Sequence, residues 1–525
     1  MAACRNAVAL VVLVTASALL AGCTVGPSDR PPVAVRDAGT PPDHRPAPQP
    51  STSTPPPPAG RYDPTSLPWR DCTGDVASLL GAAAPSRVDC AELTVRGDLS
   101  RPGLGSLLQL DLIRAGSGPA PLVVLGEPGG EPGTLRAARL AAQAPPALLD
   151  NYTLIGLASR GTGRTDPIDC IPESTRQQLI GARAGALREL LDTAGTAIRT
   201  CVQQLGSLLT AIDSAAMADD LEQLRVALDA PVLNLLSLGE ASRAVIGYVR
   251  RYPESVGRVV LDGAADPTLD DIGSSEAEAE VAERGFDAFA EDCVDRGCPL
   301  APDPRRALTG LLDRLRDAPL VTPELRVTPG IALQAVLETI GAPQRWPELA
   351  AALDAARRGD ATGITALVAP LISPTTVPGT PPPGAIQLPA RFDPGLATRC
   401  NDTSTRVPPI RVEQLLAEWR ERFPLFGALF AQRLLLCSAW PVPPETPEGH
   451  GAAQAPPVLV IATDGDPVTP AAGARRIATE LPSAVLVNWE GTAHGAEWRS
   501  PCVTDVVTTY LVDAQLPVPG TLCPP

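Results

Sequence analysis

With 525 residues the chain can hold an α/β domain of roughly 250 residues together with a sizeable insertion. A hydrophobic fraction of 44% supplies a packed core, whereas 3% aromatic content and a formal charge of −16 speak against stacking on bases and against attraction to nucleic acid or anionic lipid. No lysine occurs, so Schiff-base chemistry and Ser-Lys dyads are excluded.

From the N-terminus, Arg5, the apolar run Ala7–Leu20 and the small-residue segment Leu20-Ala21-Gly22-Cys23 form an export signal. The segment ending in Cys23 resembles a bacterial lipobox. That resemblance implies a leader over 1–22, lipidation of Cys23, and an extracytoplasmic chain anchored to the cell membrane or associated with the cell wall. Ordinary signal-peptidase cleavage nearby is the alternative. Residues 23–60 are rich in Pro, Ser, Thr and Asp, the composition of an extended tether with an upper reach on the order of 110 Å. No later apolar run reaches the roughly 18 residues of a membrane span.

Without Cys4 and Cys23, ten of the 12 cysteines remain, an even number suited to an oxidising compartment. Pairing of sequence neighbours predicts the disulfides Cys72–Cys90, Cys170–Cys201, Cys293–Cys298, Cys400–Cys437 and Cys502–Cys523. With no Cys-x-x-Cys pair and no clustered histidine, no metal site is expected.

From Trp69 onward, short apolar runs alternate with helical patterns, which predicts a mostly parallel sheet with helices on both faces. The expected strands are Leu122–Leu125, Thr153–Leu157, Val232–Leu236, Arg258–Leu261, Val458–Ala462 and Ala484–Asn488. After Asp266 the rhythm stops. Helices are expected over Ser275–Phe289, Arg305–Arg316, Ile331–Ile340 and Trp346–Arg358, with a Pro/Gly loop at Pro378–Gly384. The organisation read from this is a core over 61–266, a helical lid or cap over 267–394 and a second core segment over 395–525. The alternative for the insertion is a helical domain with no part in the site.

The strand Val232–Leu236 leads into Ser237-Leu238-Gly239 and then a helix carrying Ala241, Ala244, Val245, Tyr248 and Val249 on one face. Strand, sharp turn with serine, and helix describe a nucleophile elbow, with Leu235 in place of the first glycine of Gly-x-Ser-x-Gly and Gly239 as the last. Asp464 and Asp466 follow a later strand, and His494 follows the last one. His494 is one of three histidines, the others (His44 and His450) lying in proline-rich stretches. Nucleophile, acid and base in that order predict a triad of Ser237, one of the carboxylates Asp464 and Asp466, and His494. Gly126–Gly133 after an earlier strand would supply oxyanion donors, Gly130 N–H joining Leu238 N–H. Gly161-Thr162-Gly163 lacks the spacing and the lysine of a phosphate loop and reads as a turn. No cofactor is called for.

Several segments together resemble the α/β-hydrolase peptidases typified by bacterial secreted tripeptidyl aminopeptidases. They are Trp69-Arg70-Asp71-Cys72 with Cys90-Ala91, Pro128-Gly129-Gly130, Arg160–Arg164, Val259–Gly263, Cys400-Asn401-Asp402, Cys437–Pro441, Asp466–Pro470 and the His494 loop. The resemblance implies an α/β-hydrolase fold, Asp466 rather than Asp464 as the acid, and release of short peptides from free peptide or protein N-termini through an acyl-enzyme. The departures lie at the site: Leu235, Leu238 and Glu240 in the elbow, and Glu127 where asparagine usually precedes Pro-Gly-Gly. Glu127, Glu131 and Glu240 either point into solvent, the favoured reading, or place negative charge near the oxyanion region; Glu240 or Asp402 is a candidate anchor for a substrate ammonium. The competing readings are an esterase or lipase on the same fold and a weak or inactive binding protein. A monomer is expected.

Overall fold

The computed structural model describes residues 58–63, 65–97, 107–164, 166–374, 388–442 and 455–525. The leader, Cys23 and its lipidation, almost all of the tether and the Pro378–Gly384 loop lie outside the described residues. The strands, in chain order, are β1 (Arg70–Asp71), β2 (Asp89–Arg96), β3 (Leu107–Ala115), β4 (Ala120–Leu125), β5 (Tyr152–Leu157), β6 (Leu233–Leu238), β7 (Val256–Asp262), β8 (Leu320–Val321), β9 (Arg326–Val327), β10 (Val458–Thr463), β11 (Ala484–Trp489) and β12 (Thr521–Cys523).

Ten of these form one sheet in the order β1-β2-β3-β5-β4-β6-β7-β10-β11-β12, while β8 and β9 pair separately. From β5 to β12 all pairings are parallel; β1, β2 and β3 enter antiparallel. This is the α/β-hydrolase fold. The central strands are buried along their whole length, as parallel strands covered on both faces must be. Alternation then divides the side chains: Val123, Leu235, Val259 and Val460 pack into one layer, and Leu122, Leu236, Val260 and Leu459 into the other. The six expected strands are β4 to β7, β10 and β11, with shifted ends. One shift matters most: β6 continues to Leu238, two residues past its expected end.

After β4 the chain lays β5 on one side and returns to place β6 on the other. The carboxyl ends of β4 and β6 therefore flank the point where winding direction reverses, the usual place for a ligand crevice. Residues Gly126 and Gly239 open the loops on either side of it.

The helical insertion expected over 267–394 runs further. Helices Asp271–Asp295, Pro304–Asp317, Pro329–Ile340, Trp346–Arg357, Thr362–Ile372, Phe392–Asn401, Pro409–Arg422 and Gly427–Arg433 all precede β10. They share a hydrophobic core that includes Phe286, Val336, Trp419 and Phe426, so the expected boundary at 394 falls inside this cap. Local chemistry starts its helices: Asp270, Asp303 and Thr328 each accept a backbone N–H of the first turn, the last two followed by proline at the first helical position. A second insertion, between β5 and β6, adds helices Glu173–Ile180 and Leu187–Leu205 to the same core. Buried Asp393 ties the two insertions, accepting from Cys170 N (2.9 Å), Ile171 N (2.8 Å) and Arg176 Nε (2.7 Å). The five disulfides form with the expected pairing. Among the described residues no helix is long and apolar enough to cross a membrane, and no cluster could hold a metal ion.

Candidate active site

His494 is held from both sides. Its Nδ1 lies 3.1 Å from Asp466 Oδ2 and its Nε2 2.9 Å from Glu127 Oε2. Asp466 is fixed in turn by accepting the amides of Val468 and Thr469 through Oδ1 (2.8 and 2.9 Å), while Asp464 turns away to pair with Arg475. The histidine loop is anchored at its base, where Asp262 Oδ2 accepts from Ala496 N and Glu497 N, and at the cap, where His494 N donates to Gly341 O. The structure thus brings Asp466 and His494 together as expected, and adds Glu127 on the nitrogen that a nucleophile would use.

Ser237 does not join them. It is still inside β6, paired with Leu125 and Leu261, fully buried, and its Oγ has no hydrogen-bond partner among the described residues. The residue at the sharp turn is Gly239, with φ +53°, directly followed by a short 3-10 turn and the helix Ser242–Arg251. That left-handed conformation between strand end and helix marks the elbow position. The motif frame is therefore displaced by two residues: Ser237 occupies the place of the first glycine, Gly239 the place of the nucleophile, and Leu235 is an ordinary core residue of the strand. The hydroxyl expected at the elbow is absent.

Glu127 fills the space. A Cβ at Gly239 would overlap Glu127 Oε1. The same oxygen accepts from Glu240 N at 3.0 Å, and this amide, the first after the elbow, is the donor that would face an oxyanion. The expected donors are otherwise engaged. Leu238 lies within β6 opposite Asp262, and Gly130 N closes a turn on Glu127 O. The Glu127 carboxylate thus bridges histidine and amide as the carboxylate of a cleaved acyl product would.

The charges follow from this packing. Burial pushes the His494 imidazole down, but the flanking Glu127 and Asp466 carboxylates outweigh it and raise it to about 10. Burial pushes Glu127 up, and the imidazolium, with its hydrogen bond and that of Glu240 N, more than offsets this, holding the carboxyl below its ordinary range. A protonated imidazole cannot accept a proton from a nucleophile.

The reading of uncompensated negative charge near the oxyanion region is corrected as well. Glu127 faces His494, Glu131 pairs with Arg139 (2.6 Å) and Glu240 with Arg243 (2.7 Å). Asp402, expected as an ammonium anchor, accepts from both the amide and hydroxyl of Ser214 (2.8 and 2.7 Å); burial pushes its carboxyl up to about 6 against those bonds. Both Glu240 and Asp402 line a cleft of about 980 Å³ between the sheet's carboxyl edge and the cap. That volume is at the upper end for sites that enclose a small ligand.

Comparison with known proteins accords with this architecture. A family model described as "TAP-like protein" matches residues 423–523, which carry β10, Asp466, β11 and His494. The fold is that of an α/β-hydrolase, and this C-terminal segment is similar to the TAP-like family. Three relatives align over most of the chain's length. "Carboxylesterase B" of Mycobacterium tuberculosis is 27% identical over 87% of this chain and 90% of its own. "Serine protease Hip1" of the same organism is 26% identical over 84% and 88%, and "Tripeptidyl aminopeptidase" of Streptomyces lividans 24% over 89% and 88%. The relatives' names divide between peptidase and esterase.

Proposed function

We propose that this protein of α/β-hydrolase fold binds short peptides in its cleft, outside the cytoplasm, without cleaving them. The observation that carries this reading is glycine at the elbow. Acyl transfer needs an oxygen nucleophile there, a neutral histidine to take its proton, and open amides for the oxyanion. Gly239 supplies no oxygen, His494 is protonated, and Glu127 covers the Glu240 amide. Each departure alone would slow the reaction; together they remove the attacking atom and occupy its surroundings.

A peptide as ligand is supported by the relatives named as a tripeptidyl aminopeptidase and a serine protease, and by a cleft wall in which charged pairs alternate with apolar side chains. Five disulfides suit an extracytoplasmic setting. Lipidation of Cys23 and a monomeric state complete the proposal. The turnover reading, an exopeptidase releasing short peptides from free N-termini, draws on the intact Asp466–His494 pair; an esterase draws on the relative of that name.

A fluorophosphonate probe distinguishes them. The wild type is expected to stay unlabelled, and a Gly239→Ser/Glu127→Asn variant, which restores the hydroxyl and frees the amide, to label. Labelling of the wild type that disappears in Ser237→Ala would overturn the binding reading and establish a serine hydrolase working from the strand.

A further inference from the structure

Among the described residues, eight arginines line the cleft: Arg136, Arg139, Arg243, Arg345, Arg391, Arg399, Arg433 and Arg499. Six have a carboxylate in contact, namely Glu497, Glu131, Glu240, Glu348, Glu338, and Asp271 with Glu278. Among the described residues, Arg433 and Arg499 do not. Arg499 is exposed at the rim, where water solvates it, and donates to Gln344 Oε1 (3.1 Å). Arg433 is half-buried at the end of the cap helix Gly427–Arg433, over the Phe430 ring at 4.9 Å, and its one hydrogen bond goes to the neutral amide oxygen of Gln334.

A half-buried cation without an anion is costly to hold, and proteins ordinarily pair it. Burial together with the charge of Arg399 pulls Arg433 down to about 10, the Glu278 and Glu338 carboxylates, which pair with other arginines, offsetting only part of this. Beside it, Gln432 is 3% exposed and gives its Nε2 to Ala182 O (3.3 Å), leaving Oε1 with no donor among the described residues. Gln432 also lines the cleft. Two adjacent residues thus present a cation bonded only to a neutral amide and an acceptor that takes no N–H among the described residues.

We infer that Arg433 and Gln432 receive the C-terminal residue of a short peptide, the carboxylate on the Arg433 guanidinium and the last amide N–H on Gln432 Oε1. A peptide's last residue carries both groups on neighbouring atoms, whereas a fatty acid carries only the first. A guanidinium accommodates a carboxylate through two parallel bonds, one of which would replace or join that to Gln334. This deepens the peptide-binding reading and rests on it.

The test is calorimetric titration of the full-length protein with three probes: trialanine, trialanine amide and hexanoate. Trialanine is expected to bind about 10-fold tighter than its amide, with hexanoate weaker than either. In Arg433→Met the free acid is expected to fall to the level of the amide, whose affinity stays unchanged. Equal binding of acid and amide by the wild type would overturn this assignment while leaving peptide binding intact. Hexanoate binding as tightly as trialanine would overturn the role of Gln432 and the peptide terminus. Binding of no probe would overturn the peptide-binding reading beneath both.

Discussion

At residue scale the decisive pair is Gly239 and Glu127. Their mutual dependence is measurable: Gly239→Ser places a side chain at φ +53° and against Glu127 Oε1. It is expected to destabilise the wild type more than it does a Glu127→Asn background, with a coupling of about 1–3 kcal/mol in a double-mutant cycle. His494 offers a second prediction. Its folded pKa of about 10 lies above the ordinary value of 6.5, so the stability it contributes is full below about pH 6.5 and is lost as pH rises through 10. In NMR titration its ring signals should stay those of the imidazolium at pH 8, and in Glu127→Gln should titrate at lower pH; neutral ring shifts at pH 8 in the wild type would refute the ion pair. His494 was legible from chain order and the scarcity of histidine, and Asp466 over Asp464 from the family resemblance. The elbow was not, because Leu235-Leu236-Ser237-Leu238 is a uniform buried strand in which a serine fits as well as an alanine, so nothing local marks where the strand stops. The helix beginning at Ser242 was the available signal, since an elbow residue precedes its helix by only a few positions.

At the scale of elements, the parallel strands were readable because burial on both faces leaves continuous apolar runs. The strands β2 and β3 were not singled out: as antiparallel strands of mixed exposure they carry Glu92, Thr94 and Gln109 among the apolar residues, and that pattern is weaker. The cap boundary failed for a different reason. The segment after 394 was assigned to the core, yet the helix Phe392–Asn401 packs with the cap through Cys400 and Ala397. What unites the two insertions is the carboxylate of Asp393, 1% exposed and holding two amides and Arg176. Asp393→Ala leaves a buried arginine and two buried amides unsatisfied and is expected to cost about 3–5 kcal/mol in urea unfolding. A loss under 1 kcal/mol would mean the insertions are joined by apolar packing alone.

At the scale of the molecule, cross-links and charge set the conditions under which the fold persists. Three disulfides (Cys170–Cys201, Cys293–Cys298 and Cys400–Cys437) have their cysteines in or against the cap core, and two brace the sheet's outer strands. Each of the longer loops should contribute about 2–4 kcal/mol. Reduction is therefore expected to lower the urea midpoint, and an unchanged midpoint with all thiols free would show that packing suffices. This level was the most legible, because an even cysteine count and neighbour pairing need no knowledge of the site.

The Glu127 carboxylate also sets what an acylating centre at position 239 would require. Serine at 239 alone would collide with it, and its loss alone would strip His494 of a partner while restoring no hydroxyl. Neither single change yields an acylating centre at position 239, so the two positions would have to change together for one to form there.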